Sequence, residues 1–138
     1  MAFALASVAP PGSKFKATDV CVPLSELPGA VRHARGLVEE RGIEASIIGH
    51  VGDGNYHVGF SVDPADADAI AAAEQVNHEI VEYALARGGT CSGEHGIGLG
   101  KVGYLQQEHG DLVPLMRGIK QVLDPNGILN PGKVIPAA

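Results

Sequence analysis

The sequence predicts an α+β fold, an antiparallel sheet with helices packed on one face, and three observations predict it. Residues 45–62 alternate apolar and polar on both sides of Asp53-Gly54, the pattern of a hairpin. Three stretches, 27–38, 70–84 and 112–122, repeat apolar residues every three to four positions, the pattern of helices burying one stripe. The order β-α-β-β-α-loop-α segregates helices from the hairpin, which favours an antiparallel sheet over alternating parallel units.

The elements follow in chain order. Residues 1–16 read as the tail of something, and Ala2 to Ala9 would suit a helix end stopped by Pro10-Pro11-Gly12. Residues 18–23 alternate as a short strand, Val20 and Val22 against Asp19 and Cys21. Ser25 can cap a helix whose stripe is Leu27, Val31, Ala34 and Val38, with Pro28 tolerated early and Gly42 as the stop. The hairpin occupies about 45–62. Asp-Gly is a turn pair because both central residues of a type I′ turn need positive φ. A two-residue loop there pairs His50 with His57, on one face, with Cβ atoms roughly 5 Å apart. Asp63-Pro64 breaks the strand, and residues 65–87 form an Ala-rich helix with core stripe Ile70, Ala73, Val76, Ile80 and Ala84, ended by Gly88-Gly89. His78 falls off that stripe, on the solvent side. Residues 90–101, with four glycines and no usable period, are a loop. Asp111 can cap a last helix bearing Leu112, Leu115, Met116, Ile119 and Val122, followed by the turn Asp124-Pro125-Asn126-Gly127.

Composition bounds the function. The chain has 138 residues, 45% hydrophobic and 19% charged, which suits one globular domain over residues 1–138. A net charge of −6 and the absence of a basic run argue against nucleic acid as partner. Two cysteines, Cys21 and Cys91, lie far apart with no CxxC spacing, so a reducing compartment is expected. Cys21 reads as a small buried hydrophobe, and Cys91 as packing before reactivity. The first nine residues lack the charged start of a signal peptide, and no run approaches the ~18 apolar residues of a membrane span. The expected location is cytoplasmic, with peripheral membrane association through an electron-acceptor partner as the variant. Many of the 19 glycines cluster around 49–59 and 88–103, where they either let backbone approach a ligand or simply make turns.

Three residues have ligand chemistry: His50 and His57 on the hairpin and Glu94 in the glycine-rich loop. Two imidazoles and a carboxylate make an open site for a divalent ion, and the adjacent His95 can serve as a general base. Each has a plainer reading beside it. Two histidines on a polar face can be a solvated pair, and Glu94-His95 can be a loop pair binding backbone amides.

Four motifs then occur in one order: Thr18-Asp-Val-Cys-Val-Pro23, Gly49-His-Val-Gly-Asp-Gly-Asn-Tyr-His57, Gly88-Gly-Thr-Cys-Ser-Gly-Glu-His-Gly96 and Leu123-Asp-Pro-Asn-Gly-Ile-Leu-Asn-Pro-Gly-Lys133. Together they resemble the C-terminal substrate (cap) domain of the FAD-linked oxidases, which include D-lactate dehydrogenase, glycolate oxidase and D-2-hydroxyglutarate dehydrogenase. The resemblance covers about residues 10 to 136. It implies a ferredoxin-like cap domain and a flavoenzyme that oxidises a D-2-hydroxy acid to the 2-oxo acid. Carried over by position, His50, His57 and Glu94 match the family's metal ligands and His95 its base. Asn130 and Lys133 lie where the last turn faces the flavin. Asn55 and Lys16 stand near the substrate, although Lys16 is about one residue out of register and reads equally as a solvated lysine before a strand. Gly59 replaces a polar side chain of dicarboxylate-specific relatives, which points to a small acid such as D-lactate or glycolate.

Two departures accompany the resemblance. The family carries a larger FAD-binding domain upstream, and this chain has neither the length nor a phosphate-cradling glycine motif for it. The family's cap domain also begins earlier and supplies there an arginine for the substrate carboxylate. The expectation is therefore the C-terminal part of an enzyme, inactive alone. FAD would be held mainly by another domain or chain, and a divalent metal, zinc first with iron or manganese as alternatives, would be held here. Homo-oligomerisation is a further expectation, since a partial domain exposes sheet edge. The alternative is a stand-alone metal or small-acid binding module without catalysis.

Overall fold

The computed structural model describes residues 12–135, so the expected helix end at 2–9 lies outside the described residues. The span read as one domain divides into two compact units, Met1–Gly93 and Glu94–Ala138, with the boundary inside the glycine-rich loop.

In the first unit, strand β4 (Asn55–Val62) is the centre of an antiparallel sheet. On one side it pairs with β3 (Ala45–His50), and on the other with β1 (Lys14–Ala17) and β2 (Val20–Cys21) in succession. Thr90 adds a single antiparallel bridge beside Cys21. The order Thr90-β2-β4-β3, with helix α1 (Leu27–Glu40) joining β2 to β3 and helix α2 (Ala67–Leu85) following β4, is a ferredoxin-like arrangement whose last strand is reduced to one residue. Both helices lie on the sheet face carrying Tyr56, Val58, Phe60 and Val62, all at most 4% exposed. Against them pack Ala30, Ala34 and Leu37 of α1 and Ala73, Val76, Ile80 and Ala84 of α2. The expected α2 stripe is therefore the buried one, except that Ile70 is only half-buried. Asp66 caps α2 by accepting from the Ala69 amide at 2.9 Å.

Local chemistry moved several boundaries. Glu26, not Ser25, precedes α1, and no side chain caps it, because Pro28 lacks one of the amides a cap would satisfy. The turn between β3 and β4 is not the expected two-residue loop. Val51–Asp53 coil into a 3₁₀ turn that Gly54 closes at φ 75°, and Asp53 stays at negative φ. A side chain at Gly54 would also overlap the Val22 carbonyl, which leaves glycine as the residue that fits. His50 consequently pairs with Asn55, and His57 with Ile48. Strand β1 escaped sequence reading, being fully exposed and carrying two lysines.

The second unit contains helices α3 (Val102–His109) and α4 (Val113–Leu123). Leu112 takes the capping position expected of Asp111. After α4, the Asp124 carboxylate accepts from the Ile128 and Leu129 amides at 3.0 and 2.9 Å and from the Lys120 ammonium. That last partner holds its carboxyl below the usual range. No described helix is long and apolar enough to cross a membrane.

Candidate metal centre

The polar face of β4 is not solvated as its composition implies. Asn55 and His57 are 5% and 8% exposed, and they share their burial with Thr18 and Asp19 from the break between β1 and β2. The register runs on across that break, so Asp19 lies opposite His57 on the same face. The Thr18 backbone still pairs with Val58, its amide donating to the Val58 carbonyl at 2.9 Å. The Thr18 hydroxyl accepts from the Val58 amide at 2.8 Å. The Thr18 carbonyl lies 3.0 Å from His57 Nδ1.

This last contact decides the chemistry of His57. A carbonyl can only accept, so Nδ1 carries the proton and Nε2 carries the lone pair. It is the tautomer of a metal ligand whose other nitrogen is held by the protein. The Asp19 carboxylate stands 3.6 Å from the same Nδ1. Asn55 donates its amide to Asp19 Oδ1 at 2.8 Å and to the Val20 carbonyl at 3.1 Å.

His50 ends β3 on the same face as His57. The two are diagonal neighbours and not the directly opposed pair expected from a two-residue loop. The wider turn shifts the register by two residues, and a shift of two preserves the face. Their ring centroids are 6.3 Å apart with planes at 88°, and a ring nitrogen of each comes within 4.8 Å of one on the other. Two imidazoles at that separation, one with its tautomer set by a carbonyl, fit a divalent cation.

The other expected residues fall as follows. Glu94 and His95 open the second unit, both exposed, with His95 Nε2 3.7 Å from Glu94 Oε1. Glu94 is one peptide, about 3.8 Å between Cα atoms, beyond Gly93. A Cβ on Gly93 would overlap the Asn55 amide and the Asp19 carboxylate, so the chain reaches Glu94 directly off that polar pair. Asn130 adopts φ 46° in an exposed turn where its carbonyl accepts from the Lys133 amide at 3.4 Å, which presents an amide and an ammonium within one turn.

The two residues expected near the substrate lie on opposite faces of the sheet. Lys16 pairs with Phe60 in the register, so it points to the helix face and binds Glu74 at 2.7 Å, on the side of the sheet opposite His57. Asn55 lies on the face of His57 and donates its side-chain amide to Asp19 and to the Val20 carbonyl. Cys91 is fully buried, consistent with packing, whereas Cys21 is half-buried with its thiol donating to the Asp53 carbonyl at 3.0 Å. Sequence reading missed Thr18 and Asp19 as parts of the site. Their position at the head of a strand motif was visible, but their burial depends on which strand lies beside them.

The family described as "FAD linked oxidases, C-terminal domain" matches residues 1–134. The chain is 43% identical over 127 residues to "D-lactate dehydrogenase [cytochrome], mitochondrial" of Arabidopsis thaliana, covering 91% of this chain and 22% of that protein. It is 44% identical over 126 residues to "Probable D-lactate dehydrogenase, mitochondrial" of Danio rerio, covering 91% and 25%. It is 38% identical over 121 residues to the D-2-hydroxyglutarate dehydrogenase of Xanthomonas citri pv. viticola, covering 84% and 26%. The chain thus spans about a quarter of the length of the relatives it matches. With an α+β fold of the expected kind and a match along nearly its whole length, this chain belongs to the C-terminal domain family of the FAD-linked oxidases.

Proposed function

We propose that the chain is the metal- and substrate-binding C-terminal part of an FAD-dependent dehydrogenase that oxidises a D-2-hydroxy acid of D-lactate or glycolate size to the 2-oxo acid. The observation that carries the reading is the buried His57 ring, held through Nδ1 by the Thr18 carbonyl with His50 beside it on the same face. His50 and His57 would hold a divalent ion, with Glu94 as the third ligand. Such an ion supplies a Lewis acid that lowers the pKa of the substrate hydroxyl, zinc being the first candidate and iron or manganese the alternatives.

His95 takes the hydroxyl proton on a ring nitrogen. Asn130 and Lys133 offer hydrogen-bond donors to a flavin, whose hydride chemistry belongs to the cofactor and whose main binding surface belongs to an FAD-binding partner domain. The small size of the acid is supported by Gly59. It offers no polar group, and the Phe15 ring lies where its Cβ would be.

The test is dye reduction driven by D-lactate. The 138-residue chain should show none, with or without added FAD. Activity should appear when the chain replaces the corresponding segment of the Arabidopsis thaliana relative. Turnover by the chain alone, or a folded, flavin-loaded chimera without turnover, contradicts the proposal.

A further inference from the structure

Five polar residues are buried among those described, and four of them, Thr18, Asp19, Asn55 and His57, belong to one network on the polar face of β4. Asp19 has no part in the chemistry proposed above. Its side chain is nevertheless 1% exposed, and a buried carboxylate is costly unless paired. It lies 2.8 Å from the Asn55 amide and 3.6 Å from the His57 ring. A structural filler beside Asn55 and His57 would have no need of charge.

We propose that Asp19, held by Asn55, is a positioning residue for His57 as a metal ligand. This inference rests on the metal reading above. The Thr18 carbonyl fixes which nitrogen bears the proton, and the Asp19 carboxylate beside that proton draws it away from the ring and raises electron density at Nε2. Carboxylates in this relation to a ligating histidine commonly change metal affinity by about 10–100-fold when removed. Gly93 links the same pair to the rest of the site. Any side chain there would displace the Asn55 amide and the Asp19 carboxylate, so the backbone preceding Glu94 rests on the two groups that orient His57.

The experiment uses the 138-residue chain, with zinc titrated against a chromophoric chelator for wild type, Asp19→Asn and Gly93→Ala. Asn at position 19 keeps the size and can turn its carbonyl to the Asn55 amide while losing the charge. The expected result is a zinc Kd raised about 10–100-fold in both variants with circular dichroism unchanged. In Asp19→Asn the His57 Nδ1 proton should also move upfield in ¹⁵N–¹H spectra, which a purely structural role would not require. An unchanged zinc Kd in a folded Asp19→Asn protein overturns the inference alone. Absence of zinc uptake by the wild type overturns the metal reading and the inference with it. Should Asp19→Asn fail to fold, Gly93→Ala decides, since an unchanged Kd there also overturns the proposal.

Discussion

The two faces of strand β4 are both buried, but by different physics. On the helix face Tyr56, Val58, Phe60 and Val62 are covered by area, and the interaction is non-directional. On the other face Asn55 and His57 are covered by a few hydrogen bonds from a broken neighbouring strand. The first arrangement tolerates swaps of similar volume, whereas the second depends on atom types at fixed places. Stability is concentrated on one face and chemistry on the other. The strand lets them vary independently because successive side chains point to opposite sides.

That separation can be broken from the stability side. Phe60→Ala removes a ring that is 1% exposed and should cost about 3–5 kcal/mol, seen as a fall in the urea midpoint at unchanged slope. The protein that remains folded should keep its metal, since no group on the polar face is touched. Metal lost in proportion to the helix-face damage would show that the two faces are one cooperative site.

A smaller effect sharpens the helix side. His33 of α1 stacks on Tyr83 of α2 at 4.1 Å between centroids, and the Arg87 guanidinium lies 3.4 Å from the centre of the Tyr83 ring. Burial, and after it the Arg87 charge, push the His33 pKa below its ordinary 6.5, against the opposing pull of Glu79 and Glu40. The folded state then binds the proton less tightly than the unfolded chain. The contribution is complete above pH 6.5 and declines as pH falls below it. Urea midpoints measured from pH 8 to 5 should fall slightly, since water still reaches the ring. His33→Phe, which keeps the stack without the proton, should flatten that slope.

How much was legible beforehand follows the same division. The stripes of α1 and α2 and the hairpin were readable because burial by area leaves a period in the sequence, 3.6 for the helices and 2 for β4, whereas the stripe expected over 112–122 is exposed at Leu112, Leu115, Ile119 and Val122. Strand β1 left no such trace, since all four of its residues are exposed. Helix α3 was equally silent, with Leu105 as its single buried residue. The site was legible in residue type and face. His50 and His57 share a face under either register because the turn shifted it by two positions, and a shift of one would have parted them. The Asp53-Gly54 pair misled about the loop because it advertises two positive φ values, and the chain uses one, at Gly54. Asp19 was not legible at all. An aspartate between apolar neighbours reads as the outward residue of a strand, and only the register across Thr18 and Val58 shows that it lies opposite His57 on a covered face.

The central claim is that the polar face of β4 binds a divalent cation through His57, and elemental analysis of the native 138-residue chain beside folded His57→Ala protein tests it most directly. The account predicts about one divalent ion per native chain and its loss from the variant, with circular dichroism unchanged. Equal metal in the two proteins, or none in the native one, would contradict it.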